Sequence, residues 1–187
     1  MTEKKQDLRV QKTRESIRRA YLDLLREHSA KEITVTQICQ LARINRGTFY
    51  LHYQDTQDLL DCLINELMEE LSDILHKYSP QQLNENPFPI IYEAFSHFAD
   101  HADILPLLQK NSNSGFLEKL KSMINEIALT EWLPMHGDHK AEDYPYINAF
   151  IVSGTIEVFQ VWLQSGMQKS TGELAALIER LALQGIG

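Results

Sequence analysis

The chain has 187 residues, 43% of them hydrophobic, a formal net charge of −8 and two cysteines; this supports a packed core and excludes disorder throughout. Cys39 and Cys62 sit in apolar helical patterns without metal-ligand spacing, so they read as reduced packing residues rather than a disulfide or a metal centre. The start, MTEKKQDLRVQKTRE, lacks the apolar core of a signal peptide, and no apolar run approaches the roughly 20 residues of a bilayer span, so a cytoplasmic chain with no membrane partner is expected.

The charge is unevenly placed. Residues 1–55 hold 11 Lys and Arg against 7 Asp and Glu, a net of +4, whereas residues 56–187 hold 7 against 19, a net of −12. A basic head on an acidic body suits a modular nucleic-acid binder, because local positive charge releases counterions from phosphates while the body stays soluble. A solvated basic face with no partner is the plainer alternative, and the motif inside the basic part decides between them.

Residues 1–8 are polar, with Lys4 and Lys5 placed to brush phosphates. From Arg9 to His28, Ile17, Ala20, Tyr21, Leu24 and Leu25 recur at helical spacing and predict an amphipathic helix, with Arg14, Arg18 and Arg19 along its polar flank. Ser29–Ile33 connects it to a second helix, where Val35, Ile38, Leu41 and Ala42 line one side and Thr36 is placed to cap the first turn. Arg43, Ile44 and Asn45 break that pattern. Asn45 can cap a third helix whose leading turn exposes Arg46, Gly47 and Thr48, while Phe49 and Tyr53, at i and i+4, point back toward the second. Two short helices, a tight turn and a polar leading end make a helix-turn-helix able to enter a DNA major groove.

Asp55, with Asp58 three residues on, is expected to cap a fourth helix. Its stripe of Leu59, Leu60, Leu63, Ile64, Leu67, Leu71, Ile74 and Leu75 makes a rod of roughly 30 Å that can link two domains. Tyr78–Pro89, with three prolines, is expected to be a loop. Helices follow at Ile90–Ala102 and Ser114–Leu133, then a charged loop at Pro134–Pro145, an apolar helix at Tyr146–Leu163 that must be buried on more than one side, and a last helix at Thr171–Leu183. Neither strand alternation nor an internal repeat is visible. The expected fold is all-α, with a three-helix DNA-binding domain at 1–54 and a helical regulatory and dimerisation domain at 55–187.

Thr34-Val35-Thr36, Ile38, Ala42, the run from Asn45 to Tyr53 (NRGTFYLHY) and Asp58-Leu59-Leu60 carry a closer resemblance. Over about the first seventy residues the chain resembles the TetR family, the tetracycline-repressor-like transcriptional regulators, and the match is far more specific than a bare helix-turn-helix. It departs once: where the family usually has a phosphate-contacting Lys after the cap of the fourth helix, this chain has Thr56, so that backbone contact is not implied here. The second half resembles one TetR subgroup through Phe116-Leu-Glu-Lys-Leu and through Phe150–Met167 with Ser153-Gly154-Thr155, Trp162-Leu163 and Gly166-Met167. That resemblance implies a homodimer formed by the last two helices, with Phe150, Gly154, Val158, Trp162, Leu174, Leu177, Ile178 and Leu181 at the interface.

For DNA, phosphate donors set position and a few side chains read bases. Arg46 can pair bidentately with a guanine edge, Thr48 can meet a base or phosphate, and Gly47 lets the backbone approach the groove. By resemblance, Tyr50 and His52 match phosphate-touching positions, and Thr34 and Thr36 sit where the first motif helix points its amino end at the backbone. A two-fold dimer would read half-sites roughly 34 to 36 Å apart, or a multiple, in a near-palindromic operator. The resemblance further implies a repressor released by an unidentified small-molecule effector, for which Phe95, Phe98, Phe116, Met123, Trp132, Phe159 and Trp162 are candidate pocket residues, although aromatics at this spacing equally make a core.

Two rival readings exist. A DNA-binding activator or architectural factor controlled by a protein partner keeps the fold and drops the effector. A helical metal-dependent enzyme would use Glu93, His97 and His101, at i, i+4 and i+8, with His136 and His139 in the later loop, but the paired Glu-x-x-His pattern of carboxylate bundles is missing. No phosphate loop or nucleophile motif occurs, so no catalytic residue, metal or cofactor is expected.

Overall fold

A computed structural model describes residues 2–110, 115–132, 134 and 140–184, with side chains described from Leu8 onward except at 83–84, 109–110 and 182–184. Lys4, Lys5, Leu133, His136, His139 and Leu183 therefore lie outside the described side chains. Every regular element among the described residues is helical: α1 (Thr2–Glu27), α2 (Val35–Ala42), α3 (Arg46–Tyr50), α4 (Thr56–His76), α5 (Pro80–Glu85), α6 (Phe88–Asp100), α7 (Leu105–Lys110), α8 (Phe116–Ile127), α9 (Tyr144–Gln164) and α10 (Thr171–Gln184), with a π-helical turn at Ala128–Trp132 and a 3₁₀ turn at Ala141–Asp143. The chain divides into two compact units, one of residues 1–66 and 107–114, the other of residues 67–106 and 115–187, so α4 passes from one into the other.

In the first unit α1 packs on α2 and α2 on α3. Ile17, Tyr21 and Leu25 of α1, Ile33, Ile38 and Phe49, and Leu59, Leu60, Leu63 and Ile64 of the first half of α4 are all buried. The cap of α2 is Thr34, not Thr36. Gln37 decides it: its backbone N–H donates to Thr34 Oγ1 at 3.3 Å, while its side-chain oxygen takes the Thr34 backbone N–H at 2.8 Å, a complete capping box. The buried side of α2 is Ile38 and Cys39, and Leu41 remains 49% exposed. Cys39 and Leu41 lie about 200° apart around a helix, so burial of one turns the other outward. The α4 cap is as expected at Asp55, whose carboxylate accepts the Asp58 N–H at 2.8 Å, but Asp58 reaches back to the Gln54 N–H, also at 2.8 Å.

In the second unit α6 packs on α10 and α8 on α9. Their seam is aromatic: Phe95, Phe98, Phe116, Phe159 and Trp162 are all buried, with Phe98 and Phe159 centroids 4.5 Å apart and Phe95 and Trp162 5.4 Å apart at 70°. Two short helices occupy positions where sequence gives none. Pro80 was expected to break structure, yet it occupies the first turn of α5, where its missing N–H costs nothing, and Ser79 with Gln82 forms a capping box ahead of it. Pro106 likewise sits in the first turn of α7.

Helix α9 ends where Gly166 (φ 71) and Met167 (φ 58) turn left-handed, with the Met167 N–H donating to Trp162 O at 2.9 Å. The Trp162 indole N–H then holds Lys169 O at 2.8 Å, which fixes the turn into α10. By length and composition alone, Ala141–Gln164 is apolar enough to cross a membrane. This corrects the expectation that no stretch approaches that length: isolated polar residues such as Asn148 and Ser153 interrupt the run without lowering its average much.

Candidate nucleic-acid interface

The interface is built on α3. Asn45 Oδ1 accepts the Thr48 backbone N–H at 2.7 Å and its hydroxyl at 3.0 Å, satisfying donors that a first helical turn leaves open. Phe49, with no exposed surface, and Tyr53 anchor the segment to the core, their rings 5.8 Å apart. Anchoring one side turns the other to solvent: Arg46 and Gly47 are exposed, Tyr50 is half-exposed and Thr48 half-buried. Because the Thr48 hydroxyl proton is committed to Asn45, its outward resources are oxygen lone pairs and a methyl group. A Cβ at Gly47 would come within 3.3 Å of Asn45 Oδ1, so this glycine also leaves room for the cap.

Arg46 is organised by its neighbour one turn on. Its Nη2 donates to Tyr50 Oη at 3.0 Å and its guanidinium carbon lies 5.8 Å from the Tyr50 ring centre. The hydrogen bond from the charged group pushes the Arg46 pKa still higher, so the cation persists at any physiological pH. Helix α3 ends at Tyr50, shorter than the sequence pattern suggests. His52 is half-buried in the turn beyond it, its N–H on Phe49 O at 2.9 Å.

The turn between α2 and α3 is closed by Arg43 in the left-handed region, φ 56 and ψ 43, with the Ile44 N–H on Cys39 O at 3.0 Å. Glycine usually takes that place, since a Cβ is disfavoured there. Arg43 is exposed. It is not among the sequence candidates, and the signal for it was the break in periodicity after Ala42. Thr34 and Thr36 are exposed at the start of α2, and Thr56 is half-buried at the start of α4. Behind the motif, Arg14 stacks over Tyr53 at 5.9 Å and Arg18 pairs with Glu66 at 2.9 Å, so these two cations are engaged within the first unit.

The remaining candidates separate by burial. Of the pocket set, Phe95, Phe98, Phe116, Phe159 and Trp162 pack on one another in the second unit, whereas Met123 and Trp132 are half-buried. Of the pairing set, Phe150 is 74% exposed, Gly154 is exposed and Val158, Leu177 and Leu181 are half-buried. Trp162, Leu174 and Ile178 face inward at 3 to 5% exposure, because the α6–α10 seam takes them, and they leave little surface for a partner. Three large apolar residues outside the candidate set, Tyr146, Ile151 and Val161, are also exposed on α9.

A family model described as "Transcriptional regulator C-terminal region", of the TetR group, matches residues 85–184, more than half of the chain. The chain belongs to the TetR family of transcriptional regulators. A curated relative, the uncharacterized HTH-type transcriptional regulator YxbF of Bacillus subtilis (strain 168), is 39% identical over 74 residues, 39% of this chain. The chain spans only 20% of the length of that relative. Two solved structures share the fold. A TetR transcriptional regulator from Streptococcus agalactiae 2603V superposes at TM-score 0.67 with 22% identity, covering 95% of this chain and 97% of that one. FadR from Bacillus subtilis, solved in complex with stearoyl-CoA, superposes at TM-score 0.60 with 20% identity, covering 92% and 98%. The all-α expectation and the TetR resemblance thus agree with fold and family.

Proposed function

We propose that this TetR-family chain is a sequence-specific DNA-binding repressor, working as a cytoplasmic homodimer on a near-palindromic operator, by binding rather than catalysis. The observation that carries this reading is the outward leading turn of α3, where Arg46 and Gly47 are exposed and Thr48 is half-buried on a helix capped by Asn45 and held down by the buried Phe49. Arg46 and Thr48 would reach base edges; Tyr50, His52, Thr34 and Thr36 would serve phosphates, with exposed Arg43 as an addition.

Pairing would use the outer side of α9, where Phe150, Ile151, Gly154, Val158 and Val161 recur at helical spacing. A Cβ at Gly154 would meet nothing within 4 Å in the protomer. Glycine inside a helix costs about 1 kcal/mol relative to alanine, and protomer packing offers no return for it, whereas close approach of a second helix does. The same pairing would cover the apolar surface that makes α9 look like a membrane span. A small effector acting through the second unit is supported by the family and by the stearoyl-CoA complex of the FadR neighbour, in which case Met123 and Trp132, half-buried where the five clustered aromatics are buried, are the accessible candidates.

In-vitro selection of bound duplexes from a random library tests this reading. A near-palindromic consensus, lost with Arg46→Ala, is the expected outcome; absence of any enriched sequence would overturn it.

A further inference from the structure

His97 of α6 and His101, the residue that follows its last turn, face an acid that spacing did not choose. Glu93, expected at i with His97 at i+4 and His101 at i+8, is occupied elsewhere: it accepts from Tyr78 Oη at 2.6 Å and from Lys77 Nζ at 3.0 Å. Glu70 of α4 instead places Oε2 3.6 Å from His97 Nδ1 and 3.6 Å from His101 Nε2. All three donor atoms lie within 4.8 Å of one another.

The other nitrogen of each ring is already spent on a backbone carbonyl. His97 Nε2 lies 3.1 Å from Leu67 O and His101 Nδ1 lies 2.9 Å from His97 O. A carbonyl can only accept, so each of these nitrogens carries a proton, and in the neutral rings His97 Nδ1 and His101 Nε2 are then the lone pairs on the Glu70 side. Two lone pairs and a carboxylate oxygen then converge with no donor between them. Such outer hydrogen bonds are also the device that fixes ring tautomer and orientation at metal sites. Bonds of 2.0 to 2.1 Å in a tetrahedral ion put neighbouring donors about 3.3 Å apart, close to what Glu70 keeps from each ring. His97 is buried, His101 half-buried and Glu70 exposed, so the cluster reaches solvent on its Glu70 side.

We propose that Glu70, His97 and His101 bind one divalent first-row transition ion, with zinc the best match to two imidazoles and one carboxylate. The ion clamps α4 to α6 inside the second unit and keeps an open position for water or an anionic ligand. This site is independent of the DNA-binding reading, since none of its residues belongs to the proposed interface.

The test uses the full chain, stripped with a chelator and held at pH 8, where free imidazoles are neutral and a proton does not substitute for the ion. Calorimetric titration with zinc chloride, and with cobalt(II) as a visible-absorption probe of coordination, should give one ion per protomer and a rise in melting temperature. Glu70→Ala and His101→Ala, both at solvent-accessible positions, should each weaken binding by at least about tenfold, the lower end of what loss of a mere outer hydrogen bond does. Circular dichroism checks that both variants remain folded. Glu93→Gln and the His136→Ala/His139→Ala double variant should bind as the parent does. No saturable binding, or binding that survives Glu70→Ala and His101→Ala or vanishes in the loop-histidine variant, would overturn the proposal.

Discussion

Arg46 and Tyr50 form a hydrogen-bonded pair one turn apart on α3, with Nη2 3.0 Å from Oη and the guanidinium carbon 5.8 Å from the ring centre. The pair holds a planar, five-donor group outward before any ligand arrives, which lowers the ordering cost of a bidentate base contact. Arg46→Ala should weaken binding to the selected duplex by roughly tenfold to a hundredfold and relax preference at one base pair, and Arg46→Lys should not restore it. Tyr50→Phe keeps the ring but frees the guanidinium, so a smaller loss is expected. Anisotropy titrations against the consensus and its single-base variants read all three. A uniform loss across sequences would reassign Arg46 to phosphate.

Thr34 and Thr36 should separate stability from binding. Thr34 completes a capping box with Gln37, so Thr34→Ala should lower the unfolding free energy by about 1 kcal/mol. Thr36 lies exposed within the first turn, and Thr36→Ala should shift stability by less than about 0.5 kcal/mol while still reducing DNA affinity if its hydroxyl meets phosphate. Denaturant melts beside DNA titrations distinguish the two. Equal stability losses would mean that the cap is shared.

Gly154 gives a test in which two effects oppose each other. Alanine there should favour the α9 helix by about 1 kcal/mol while pushing a second helix away. Gly154→Leu and Phe150→Glu should go further, converting a sedimenting dimer to a folded monomer with unchanged circular dichroism. A dimer that survives both substitutions would move pairing to another face.

The bonds from Tyr78 and Lys77 hold the Glu93 carboxyl below its usual 4.5, the Tyr78 bond first, and the same bond pushes Tyr78 up to about 12, with burial second. A lowered folded-state carboxyl pKa contributes stability that is present above pH 4.5 and fades as pH falls through the folded value. The raised phenol contributes stability present below its usual 10 and lost as pH rises through about 12. The melting-temperature gap between parent and Tyr78→Phe should therefore stay level across neutral pH and close below pH 4.5. A gap that persists in acid would assign the effect of Tyr78 to packing.

Local chemistry was legible in the chain. Asn45 announces a cap, Phe49 and Tyr53 a buried side, and Asp55 the start of the linking helix, because each depends on neighbours within four residues. The Thr34 cap was legible in the same way, since Gln37 three residues on completes a capping box that Thr36 lacks. What was not legible depends on packing. Phe150 and Trp162 are equally apolar, yet one faces solvent and the other the α6–α10 seam, a difference no periodicity on a helix apolar all round can show. Spacing nominated Glu93 for the histidines, whereas the fold supplied Glu70 from 27 positions before His97 in sequence.

A grip on DNA by a net-negative chain, through its basic head and as a pair, is tested most directly by titrating the selected palindromic duplex at about 50 and 200 mM salt, with stoichiometry read at saturation. Two protomers per duplex and an affinity loss of about a thousandfold or more across that range are expected for a dimer with at least six phosphate contacts. A single protomer per palindrome, or binding indifferent to salt, would contradict it.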